Sequence, residues 1–148
     1  MRRRSFTLLE IIIVIIIIGI LATLGLVNYQ LVIEKAHDQH AKSDLKLIQK
    51  AERIYRMEQQ VYTPCANTQT ANDNLRLALP NPNINPTWRY SVTVTGTGPT
   101  AIFSARAVRG ATDARWQRTW CITQDTTAEP CCTGSGCSTS PGCAAGCP

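Results

Sequence analysis

Three groups of residues in this sequence have types and spacings that could do chemistry. The first is a single carboxylate, Glu10, inside an apolar run. The sequence reads Arg2-Arg3-Arg4-Ser5-Phe6-Thr7-Leu8-Leu9-Glu10, then IIIVIIIIGILATLGLV from Ile11 to Val27. A carboxylate in hydrocarbon costs several kcal/mol unless something compensates it, so Glu10 calls for a partner. The second group is seven cysteines: Cys65, Cys121, Cys131, Cys132, Cys137, Cys143 and Cys147. Five of them fall in the last 18 residues. In an oxidising compartment such a set reads as disulfides, and otherwise as a metal site. Cys131–Cys137–Cys143–Cys147 lack the paired two-to-four-residue gaps of closed zinc sites. The vicinal Cys131 and Cys132 need different partners, and the odd count leaves one thiol over. The third group is His37 and His40, three apart and near Glu34. They could hold a metal weakly, but two solvated histidines on a charged helix is the simpler reading.

None of this is a catalytic set. There is no Gly-rich phosphate loop, and no serine or cysteine nucleophile beside an oriented histidine. The expectation is a structural protein with no cofactor and no metal. Net charge is +5, of which three belong to Arg2, Arg3 and Arg4. The remaining +2 implies no general affinity for polyanions. Arg89, Arg106, Arg109, Arg115 and Arg118 are interleaved with aromatics, a pattern that could bind DNA. Asp113 and the short lengths weaken that reading in favour of a solvated or subunit-pairing face.

The elements that must position these residues begin with the apolar run. Phe6 to Val27 would be roughly 33 Å long as a helix, a match for a bilayer core of about 30 Å. Ile11 to Ile18 are all β-branched and poor helix formers in water. In lipid, helix is the only single-segment way to close the backbone hydrogen bonds. Gly19, Ala22 and Gly25 give a face that another helix could approach closely. A secretory signal peptide is the alternative. The run is long for one, lacks a small-residue cleavage site after it, and continues into helical sequence. The leading arginines favour a cytoplasmic N-terminus with the remainder exported.

Asn28 to about Tyr62 contains no proline or glycine and is rich in helix formers. Ala41, Leu45, Ile48, Ala51, Tyr55 and Tyr62 form one apolar stripe that needs a cover. Asp38–Lys42 and Glu52–Arg56 have the spacing of acid-to-base pairs on a solvated face, and Pro64 stops the helix. From Pro64 to Thr87 the chain reads as loop, with a short helix or turn at Ala71 to Leu79 capped by Asn72 or Asp73. Trp88 to Thr95, Thr100 to Val108 and Trp116 to Thr123 read as strands of an antiparallel meander of three or four.

Residues Arg4 to Glu10 resemble the processing site of type IV pilins and of the pseudopilins of type II secretion. Gly19-Ile20-Leu21-Ala22 and Tyr29 match as well. The resemblance covers about Arg4 to Tyr62. It implies cleavage between Ser5 and Phe6 by a membrane prepilin peptidase, and N-methylation of Phe6 by the same enzyme. Ser5 stands where that family usually has glycine, and Val27 where its major pilins usually have a kinking proline. The resemblance implies that Glu10 meets the Phe6 amine of a neighbouring subunit and sets register in a filament. It also implies a disulfide from Cys121 to a tail cysteine.

The expected fold is therefore α+β and pilin-like. A long N-terminal helix, half membrane-spanning and half amphipathic, packs on a small antiparallel sheet with a cysteine-rich C-terminal tail. The segments are a leader at 1–5, a transmembrane and assembly helix at 6–27, an amphipathic half at 28–62, a loop-and-sheet domain at 63–130 and a Cys/Gly-rich tail at 131–148. The expected place is the cytoplasmic membrane, single-pass, and then an extracellular or periplasmic filament. Expected partners are other subunits, the peptidase/methyltransferase, and membrane lipid before assembly. The first functional reading is a type IV pilus-like filament subunit. The second is a type II secretion pseudopilin, whose short filament pushes folded substrates outward. The third is a minor pilin in DNA uptake or adhesion. Major pseudopilins usually carry acidic calcium ligands near the C-terminus, and here Asp125 and Glu129 are the sparse candidates.

Overall fold

Helix α1, Leu8–Gln59, begins at Thr7, whose side chain and carbonyl both accept from the Glu10 N–H, at 3.3 and 3.1 Å. It ends where Gln60 turns left-handed, at φ 62°, earlier than the stop expected from Pro64. The structure is a computed structural model and describes residues 7–80, 87–110, 112, 114–126, 129–134 and 137. The chain divides into two units, residues 1–36 and 37–148, and α1 contributes to both.

In the first unit α1 is helical through positions 19–27, so the glycines do not interrupt it. The membrane-spanning half of the expected fold requires correction, and so does the single-pass placement built on it. Among the described residues, no helix is long and apolar enough to cross a membrane.

The second unit is built on a four-stranded antiparallel sheet in the order β1-β2-β3-β4. The strands are β1, Trp88–Thr95; β2, Ile102–Arg109; β3, Arg118–Thr123; and β4, Cys131–Gly134. The fourth strand lies within the segment read as tail. It carries no large apolar side chain, so its pattern is silent. Its signal is its pairing with β3, Trp120 opposite Cys132 and Cys121 opposite Cys131. Gly134 closes that ladder at φ 107°, and a Cβ there would sit 2.8 Å from the Gln117 carbonyl, which excludes other residues.

The apolar stripe of α1 finds its cover on this sheet. Ala41, Leu45 and Ile48 share one core with Tyr90, Val92, Phe103, Ala105, Ala107, Trp120 and Ile122. Large and small residues alternate across the strands, with Tyr90 beside Ala107 beside Trp120, and Val92 beside Ala105 beside Ile122. The alanines leave room that the larger side chains on either side fill. A second helix, α2, Thr68–Leu75, packs on β1. Its cap is Asn67, not Asn72 or Asp73. Asn67 Oδ1 accepts from the Thr70 N–H at 2.9 Å, and Thr70 Oγ1 accepts from the Asn67 N–H at 3.1 Å. Threonine thus supplies the reciprocal bond that Glu or Gln makes in the usual capping box. Asn72 instead grips Leu79 through both its backbone groups, at 2.8 and 3.0 Å.

Candidate assembly surface

Among the residues proposed from sequence, Glu10 occupies the third position of α1. The Thr7-Leu8-Leu9-Glu10 order is a capping-box pattern, a signal the reading of Glu10 as an isolated charge overlooked. A carboxylate in the first turn also faces the positive end of the helix dipole. The Glu10 side chain is exposed, and Ile11 to Ile18 are exposed on every face of the helix, none below 46%. Contiguous apolar exposure on this scale marks an interaction surface. Small residues let a neighbour come close: Gly19 has no atom within 4 Å of where a Cβ would stand. Ser5 and Phe6 lie outside the described residues.

In the second unit the two expected acid-to-base pairs do not form. Asp38 is buried and bonds across to β3. Its Oδ1 lies 3.1 Å from Arg118 Nε and accepts from Trp120 Nε1 at 3.2 Å. Lys42 turns to Glu129 at 3.4 Å and lies over the Trp120 ring. Glu52 is fully buried, while Arg56 lies over Tyr62 and donates to Tyr62 Oη and to the Pro99 carbonyl, both at 2.6 Å. Spacing permitted the local pairs, but the partners that formed come from strands and turns far along the chain.

Two of the five arginines interleaved with aromatics, Arg109 and Arg118, are engaged by the fold. Arg118 is buried against Asp38 and lies over Trp116; Arg109 lies over Trp88 and donates to the Thr87 carbonyl at 3.2 Å. For these two arginines this favours a structural use over a nucleic-acid face. His37 and His40 line a small cavity of about 210 Å³ with Asp44, Trp88 and Tyr90. Trp88 Nε1 donates to the His37 carbonyl at 2.9 Å, and Tyr90 Oη donates to Asp44 Oδ2 at 2.5 Å. Burial, then the Asp44 bond, pushes the Tyr90 phenol far above its usual range. Among the described residues, no group of three or more His, Cys, Asp or Glu side chains could hold a metal ion.

The loop before β4 is held to α1 by side chains. Gln49 donates to the carbonyls of Thr123 and Thr126 at 2.6 and 2.9 Å, and Arg53 to that of Gln124 at 2.7 Å. Glu129 pairs with Lys46 at 2.7 Å as well as with Lys42. The Lys46 hydrogen bond leads in holding its carboxyl below the usual range. The carboxylate that a calcium ion would want is thus committed to two lysines. Glu129→Gln should cost little, about 0.5 kcal/mol, because the pair is half exposed. Urea denaturation at low and high salt checks this, the difference shrinking as salt rises.

Of the cysteines, Cys132 and Cys137 form a disulfide, and Cys121 and Cys131 are also disulfide-bonded. The neighbours Cys131 and Cys132 therefore do take different partners, and four of the thiolates a cysteine-only metal site would need are gone. Cys143 and Cys147 lie outside the described residues. Cys65, a disulfide candidate from sequence, is instead a free, buried thiol whose Sγ faces the Thr63 carbonyl at 3.7 Å. Burial, then the Glu52 carboxylate, pushes it up to about 11, which makes it a poor nucleophile.

Comparison with known proteins supplies what geometry leaves open. The family model for the prokaryotic N-terminal methylation motif matches residues 1–26. The chain is 36% identical over 85 residues to the type II secretion system core protein G of Escherichia coli (strain K12), covering 57% of this chain and 54% of that protein. The chain carries the N-terminal methylation motif and is similar to type II secretion core protein G and to a type IV pilin. The chain is also 37% identical over 81 residues to core protein G of Aeromonas hydrophila, covering 55% of this chain and 57% of that protein. To the type IV major pilin protein PilA of Myxococcus xanthus (strain DK1622) it is 36% identical over 66 residues, 45% of this chain and 30% of that protein. It spans about half the length of the curated relatives it matches. No solved structure matches it significantly.

Proposed function

We infer that this subunit is a pseudopilin of a type II secretion system. This places the second reading of the sequence ahead of the first, a type IV pilus subunit. The observation that carries it is the similarity to core protein G, which runs past the N-terminal motif and covers up to 60% of the chain. The match to PilA covers less, 45%. On this reading the chain is cleaved between Ser5 and Phe6 and methylated at Phe6 by a prepilin peptidase. Copies then stack through the exposed apolar residues of α1, with Glu10 as the polar contact that sets register. The free energy comes from apolar area, at about 25 cal/mol per Å² removed from water. One carboxylate in that surface adds direction to an otherwise non-directional attraction.

The test is a deletion strain assayed for two outputs. Loss of exoprotein secretion with twitching intact is the expected result, restored by the wild-type gene. Loss of twitching with secretion intact would assign the subunit to a pilus instead.

A further inference from the structure

The corner after α1 buries a carboxylate that, among the described residues, no cation pairs. Glu52 is 0% exposed. Its Oε2 accepts from the Thr63 N–H at 3.1 Å. Its Oε1 is buried with no hydrogen-bond partner among the described residues. Thr63 belongs to the segment that reverses the chain, between left-handed Gln60 and Cys65. Cys65 exchanges both backbone bonds with Val92, at 2.9 and 2.8 Å, and so stitches the corner to β1.

The groups around Glu52 come from each element at this corner. The turn brings the Cys65 thiol, and Tyr62 packed edge-on against Phe103 of β2. Helix α2 brings the neutral Asn74 amide, which reaches Thr63 Oγ1 at 3.5 Å. Strand β1 brings Val92, which is not ionisable. On α1 itself the cation with matching spacing, Arg56, is spent on Tyr62 and Pro99. A carboxylate here gains one backbone bond and loses its water, and an unpaired buried charge is among the costliest arrangements in a protein.

We propose that Glu52 is a proton-controlled latch for this corner. With Glu52 protonated, residues 60–65 and α2 seat against α1. With it ionised, they open locally while β2 and β3 stay closed, and the opening uncovers the one free thiol described, Cys65. The direction follows from linkage. Burial raises the Glu52 carboxyl from 4.5 to about 7, with the Thr63 N–H opposing the rise. The seated corner therefore holds the proton more tightly than the open one. Its stability is fully present below about pH 4.5 and is lost as pH rises through about 7.

The experiment is hydrogen–deuterium exchange by mass spectrometry on the full chain in detergent micelles at pH 5.5 and 8.5, corrected for intrinsic exchange. Peptides over residues 60–66 and α2 should lose protection at pH 8.5 by roughly tenfold or more, while β2 and β3 peptides hold theirs. Glu52→Gln, which keeps shape and acceptor, should be flat between the two pH values. Maleimide labelling of Cys65, read as wild type relative to Glu52→Gln, should rise over the same interval. Wild-type protection at the corner that does not change with pH overturns the latch without any variant. An equal loss in Glu52→Gln, or a loss spread evenly over the sheet, overturns it as well. Should Glu52→Gln not fold, Glu52→Met serves as the uncharged control.

Discussion

Glu10→Leu is expected to leave the subunit folded and processed, and to remove it from filaments. Within the subunit the Glu10 side chain is exposed, and its backbone N–H donates to Thr7. Losing a first-turn carboxylate costs about 0.3–1 kcal/mol of helix-dipole stabilisation, and surface changes are otherwise small. In the proposed assembly the same side chain is buried among apolar neighbours against the Phe6 amine of an adjoining copy. Removing one member of a buried pair costs about 3–5 kcal/mol, because the other charge is left without compensation. That corresponds to a loss of incorporation of roughly 100-fold or more. Immunoblots of sheared filaments from cells that overproduce the system provide the measurement, with whole-cell blots reporting leader cleavage. Wild-type incorporation of Glu10→Leu would remove Glu10 from the assembly contact.

The second large effect is on stability. Asp38→Ala should destabilise the unit spanning residues 37–148 by about 3–5 kcal/mol, a third or more of the 5–15 kcal/mol that holds a typical domain together. Asp38 Oδ1 serves both Arg118 Nε and Trp120 Nε1. The Asp38 and Arg118 side chains are only 13% and 7% exposed. Without the carboxylate, the guanidinium stays buried near Trp116 with its neutralising charge gone, and the indole N–H is left unsatisfied. Arg118→Met in the Asp38→Ala background should recover part of the loss, since no charge then remains to bury. Urea denaturation of the four combinations gives the coupling directly. A loss under about 1 kcal/mol for Asp38→Ala would show that solvent reaches the pair and screens it.

The corner and this buried pair expose the same difference between short-range and long-range information. Asp38 with Lys42 and Glu52 with Arg56 have the spacing of exposed ion pairs on a helix. Nothing local distinguishes that arrangement from the one that formed. The deciding partners, Arg118 for Asp38 and the Thr63 N–H for Glu52, arrive only when the sheet and the corner close on α1. The same holds for β4, whose Cys-Cys-Thr-Gly residues have no alternation to read and acquire strand geometry by pairing with β3. Helix α2 was legible in kind, but its start was misplaced because Thr70 returns the capping bond usually expected from Glu or Gln.

The sequence by itself determined what depends on neighbours a few residues apart. Such features are the N-terminal methylation motif around Glu10, the apolar stripe through Ala41, Leu45 and Ile48, and the alternation of Trp88, Tyr90 and Val92. Each is a periodicity or motif set by backbone geometry alone. Tertiary structure decided which charges are buried, which cysteine stays free and which segment becomes the fourth strand. Those outcomes turn on desolvation and on partners distant in sequence, and both are settled only when the chain has folded.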